Sequence, residues 1–213
     1  MDLLPMRQLL ESQLTRFERQ FEQTVIGIPV ERLARRYQLE GILSHLWQAW
    51  CSFSRNICIS SATGCTTAGG IVCAASISPT TWERASYIAI RGAKGDRVKP
   101  GNINSLLRHE PTWGDASKIV DILNALNPQN KNTLKASLAG GLPGPMHCQI
   151  VRNACAHTNH QTKADVLALA VSYIPSPIVH PVDALTWRIP VTGDFAFLDW
   201  IDDMRTIADG AIA

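Results

Sequence analysis

Apolar positions recur at helical spacing along most of this chain, and strand-like alternation is nearly absent. Leu3, Leu10, Leu14, Phe17 and Phe21 fall near one face of a first amphipathic helix, over residues 3 to about 23. Gly27-Ile28-Pro29 breaks it, with Pro29 suited to the first turn of the next helix. That second helix is long. Leu39, Leu43, Leu46, Trp50 and Phe53 alternate spacings of four and three, a bundle-type core stripe, and the pattern runs to about residue 59.

Further on, Ser78-Pro79 reads as cap and first position of a helix that ends before Gly92. Residues 92–114 read as a loop with short helical content around 104–108. Asp115 caps a helix over 116–126, and another spans 131–139, stopped by Gly140-Gly141. Pro143 and Pro145 open a helix over 146–157. Thr162 caps one over 163–173, and a last helix covers 195–209. Four prolines make 175–193 irregular, with a short extended pair near Ile178 and 187–191. The pattern predicts an all-α helical bundle, a single domain over 1–213.

Composition narrows this picture. A chain of 213 residues with 46% hydrophobic content supports one sizeable core. Residues 56–82 carry no formal charge, but their Ser, Thr and Gly content argues against a membrane span. The N-terminal stretch carries Asp2, Arg7 and Glu11, which is wrong for a secretory signal. The six cysteines show no paired metal-type spacing, so reduced thiols in the cytoplasm are expected. A net charge of +2 does not by itself announce a nucleic-acid binder.

The chemistry concentrates in Arg152-Asn153-Ala154-Cys155-Ala156-His157, at the end of an apolar helical run. An imidazole titrates near neutral pH and can move a proton. A guanidinium is a permanent planar fork that holds two phosphate oxygens. Asn153 and His157 share a helix face, whereas Arg152 and His157 stand about 140° apart on an ideal helix. One copy therefore does not easily bring both to one phosphate, and two copies across a twofold axis do.

This segment resembles the HEPN superfamily, whose signature is an arginine, a polar residue and, after a short gap, a histidine. The Arg152-Asn153 pair and the four intervening residues before His157 match it. Glu40, in Tyr37-Gln38-Leu39-Glu40-Gly41 on the long helix, matches loosely the acidic residue that many members direct toward the site. The resemblance covers about half the chain, and residues 60–115 show no family pattern. It implies a dimerising helical bundle that cuts RNA without metal or other cofactor, with Arg152 and His157 catalytic and Asn153 orienting. It also implies a toxin–antitoxin or antiviral defence setting, with an antitoxin or defence partner. The alternative is a catalytically inactive HEPN-like scaffold or partner-binding protein.

Other groupings carry less. His147, Cys148, Cys155, His157 and His160 lack zinc-finger spacing and read better as core thiols beside the motif. Arg32, Arg35 and Arg36 open the second helix as a solvated face or an RNA-backbone contact. Arg91, Lys94, Arg97 and Lys99 lack the ending of a phosphate-binding loop. Asp199, Asp202 and Asp203 read as an exposed face, and Trp47 and Trp50 as helix core.

Overall fold

The computed structural model describes residues 1–28 and 31–213, so the expected role of Pro29 lies outside the described residues. The protein is all-α apart from one small hairpin. Eight helices occur in the described residues: α1 (Leu4–Ile26), α2 (Arg32–Thr63), α3 (Trp82–Gly92), α4 (Ala116–Leu126), α5 (Lys131–Leu138), α6 (Gly144–Ala156), α7 (His160–Ala168) and α8 (Ala196–Ile212). Short 3₁₀ turns occupy Leu107–His109, Leu169–Ser172 and Pro181–Thr186. Among the described residues no helix is long and apolar enough to cross a membrane.

The chain forms two compact units. One comprises Met1–Leu10, Trp50–Leu142 and Thr206–Ala213; the other comprises Glu11–Ala49 and Pro143–Arg205. In the first unit, strands β1 (Cys65–Thr66) and β2 (Val72–Cys73) pair antiparallel, Cys65 opposite Cys73. Gly64 and Gly70, both at positive φ, turn the chain on either side of β1. Leu3 donates its N–H to the Thr66 carbonyl, which ties the N-terminus to this hairpin. The sequence pattern does not foresee it, because two-residue strands have no room for alternation.

In the same unit α3 packs on α4, and Gly92 permits the approach: a Cβ there would stand 2.5 Å from that of Ala125. Thr81, not Ser78, caps α3, accepting the Arg84 N–H. Asp115 caps α4 as expected, accepting from Ser117 and Lys118, and Asn127 ends that helix in the left-handed conformation.

The second unit is built around aromatic packing. Phe21 stacks on Phe197 at 4.6 Å and meets Phe195 edge-on at 5.4 Å. Leu14, Phe17, Leu43, Leu46, Trp187 and Trp200 are buried with them. The expected stripes of α1 and α2 are therefore real, and Trp47 and Trp50 are core. Two local expectations are corrected. Asn159 caps α7, while Thr162 sits three residues in and returns its side chain to the cap. The extended contacts pair Arg188 with Ile174 and Phe195 rather than involving Ile178.

Candidate functional site

Helix α6 carries the sequence motif and is fixed at both ends. At its start, the Gly144 N–H donates to Asp203 Oδ2 at 2.8 Å. A Cβ on Gly144 would lie 2.7 Å from the Trp200 Cα, so only glycine allows this approach. Asp203 is thereby a helix-start acceptor, half-buried, and not part of an exposed acidic face. Along α6, Cys148, Val151 and Ala154 point into the core, which leaves Arg152, Asn153 and Cys155 half-buried beside it.

At its end, His157 leaves helical geometry with φ −134° and ψ 65°, its N–H still bonded to the Asn153 carbonyl at 2.8 Å. The His157 carbonyl accepts from Thr162 Oγ1 at 2.8 Å and from Asn159 Nδ2 at 3.2 Å. Thr158 Oγ1 donates to the Ala154 carbonyl at 3.0 Å. Four polar contacts thus hold the backbone of this corner while the His157 residue is exposed. Its ring has no hydrogen-bond or ion-pair partner among the described residues.

The other motif residues lie in a polar cluster. Arg152 Nη1 donates to Asn153 Oδ1 at 3.3 Å. Burial pushes the Cys155 thiol up to about 12, the Glu40 and Asp183 carboxylates reinforce this, and the Arg36 and Arg152 guanidinium groups oppose it. Glu40 of α2 and Arg152 of α6 thus both act on the Cys155 thiol. It accepts from Arg36 Nε at 2.8 Å, one helical turn away, and stands 3.4 Å from His180 Nδ1.

His180 and Asp183 are the residues that sequence reasoning missed. His180 precedes the 3₁₀ turn Pro181–Thr186, and its Nδ1 accepts from the Val182 N–H at 3.4 Å. Asp183 accepts the N–H groups of Val179 and His180. A signal was present: His-Pro-x-Asp is the pattern of a capping residue, a first-position proline and an acidic return contact. Burial and the Arg36 charge lower the His180 pKa, against Glu40 and Asp183. His180 Nε2 is buried with no partner among the described residues.

The histidines and cysteines that cluster in sequence near the motif are dispersed in the fold. His147 Nδ1 pairs with the Tyr173 hydroxyl, which also accepts from Trp200 Nε1 at 2.8 Å. Cys148 is core, and all six cysteines are free thiols. Among the described residues no three His, Cys, Asp or Glu side chains gather as metal ligands.

The structure therefore sets Arg152 against Asn153, has Arg152 and Glu40 both act on the Cys155 thiol, and leaves His157 at the exposed helix end. Such an arrangement offers a guanidinium for phosphate and a solvent-facing imidazole for proton movement. In comparison with known proteins, the chain matches no family model, no curated protein and no solved structure.

Proposed function

We propose that this protein is a metal-independent endoribonuclease of the HEPN type. It acts as a cytoplasmic homodimer, in a toxin–antitoxin or antiviral defence setting, with an antitoxin or defence protein as its partner. One observation carries the reading: the backbone of the α6 corner is held by hydrogen bonds, which leaves the His157 residue exposed at the end of the helix that also carries Arg152. In the reaction the 2′-oxygen of a ribose bonds to the adjacent phosphorus and the bond to the 5′-oxygen breaks. His157 takes the 2′-hydroxyl proton and returns it to the departing 5′-oxygen. Arg152 holds the non-bridging oxygens as their charge grows, and Asn153 orients the guanidinium. The products are a 2′,3′-cyclic phosphate and a 5′-hydroxyl.

The test incubates purified protein with RNA in EDTA and resolves the product ends. Wild type cleaves, while His157→Ala and Arg152→Ala lose about 10²–10⁴-fold in rate. Equal cleavage by all three removes the catalytic assignment. The inactive-scaffold alternative gains from the Arg152–Asn153 contact, which occupies part of the guanidinium fork. It predicts RNA or protein binding without cleavage by wild type.

A further inference from the structure

A cavity of about 510 Å³ opens at the start of α2, lined in part by Arg32, Arg35, Arg36, His180, Asp183 and Thr186. Its size suits a nucleotide rather than a bare ion. Three guanidinium groups within one turn and a half of helix repel one another, and a helix start adds positive potential. Arg36 is neutralised by Glu40. Neither the Arg32 nor the Arg35 guanidinium has a hydrogen-bond or ion-pair partner among the described residues. Of the acids, Asp183 is already spent on the backbone N–H groups of Val179 and His180, and Glu31 opposes the arginines from the cavity wall.

A second observation is independent of the arginines. His180, only 8% exposed, lines the cavity, and its Nε2 has no partner among the described residues. Leaving a buried polar atom unpaired costs about 1–3 kcal/mol, and a turn of the ring toward a bound phosphate would relieve that cost. Leu33, Pro177 and Val179 supply an apolar wall against which a ribose or base can lie.

We infer that this cavity is a phosphate-binding subsite for single-stranded RNA, with Arg32 and Arg35 holding the backbone. The identity of the ligand as RNA rests on the ribonuclease reading. Asp183 and Thr186, which line the cavity, belong to the 3₁₀ turn Pro181–Thr186 that packs on α6, so an RNA strand held there lies beside the motif-bearing helix.

The test measures binding and not cleavage. Full-length His157→Ala protein is titrated with a short fluorescent single-stranded RNA over a range of salt, alone and with Arg32→Gln/Arg35→Gln added. Removing two phosphate contacts lowers the slope of log affinity against log salt by about 1.4 and weakens binding about tenfold. An Arg32→Lys/Arg35→Lys pair keeps most of the slope. Inorganic phosphate competes with RNA in the parent and less in the Gln pair. Unchanged affinity and slope in the Gln pair overturn the subsite, as does a parent that does not bind RNA. Inorganic phosphate that binds through these arginines without displacing RNA makes the cavity a site for a free phosphate compound and overturns the RNA assignment. The two readings fail separately. Wild type that binds RNA through Arg32 and Arg35 without cutting it sinks the nuclease and spares the subsite. Cleavage with indifference to the Gln pair does the reverse.

Discussion

Two carboxylates, one in each compact unit, sit in clusters of similar composition and very different completeness. Glu110 accepts a bidentate pair from Arg55, at 2.6 and 2.8 Å, and further bonds from Ser86 and from Trp113 Nε1. Its side chain is 8% exposed. Burial pushes the Glu110 carboxyl up, yet Arg55, Ser86 and Trp113 outweigh burial and hold it below the ordinary range. Glu40 has one close arginine, a longer approach from His180 and greater exposure. At Glu110 both carboxylate oxygens are bonded by Arg55 and further donors, which is how a polar cluster rigidifies a fold. Beside Glu40 the buried His180 Nε2 has no partner among the described residues and His180 lines a cavity, so the bonding there is incomplete within them.

That contrast predicts a ranking of effects. Glu110→Ala strands Arg55 and two neutral donors, and destabilises the protein by about 3 kcal/mol in chemical denaturation, since removing one partner of a buried pair exposes the other's desolvation cost. A loss below about 1 kcal/mol would break the comparison at its stronger end. Acid sharpens the same point. A carboxyl whose folded pKa is lowered contributes stability in full above its unfolded value near 4.5, and loses it as pH falls through the folded pKa. Melting scans below pH 4.5 should therefore drop more steeply for wild type than for Glu110→Gln. Parallel curves would contradict the role given to this cluster. At the smallest end, Glu40→Gln lowers Tm by no more than about 3 °C, because its pair with Arg36 is partly exposed and joins neighbours on one helix. A larger shift would mean that Glu40 is structural after all.

Much of the helical frame was readable from spacing alone. The stripes of α1 and α2, the Asp115 cap and the helix bearing Arg152 stand where periodicity puts them, because each depends on residues within a few turns. Boundaries were less readable. The choice between Ser78 and Thr81, or Thr162 and Asn159, turns on which oxygen meets a free N–H, and both contestants are good caps. The Cys65–Cys73 pairing was hidden by its shortness. At the site, Arg152, Asn153 and His157 were visible because one helix carries them. Glu40 was reached only through resemblance. His180 and Asp183 announced a turn but not their neighbours, since nothing local says that residue 180 faces residue 40.

By itself the sequence determined which segments are helices, which face of each is apolar, and that one helix ends in an arginine, an asparagine and a histidine. Those properties follow from backbone periodicity and side-chain type, which act over a few residues. Only the tertiary structure decided that Glu40 stands against His180, that Asp203 serves the start of α6, and that Arg32 and Arg35 border a cavity. Such convergence depends on how helices far apart in the chain pack, and packing is settled by the whole core rather than by any one segment.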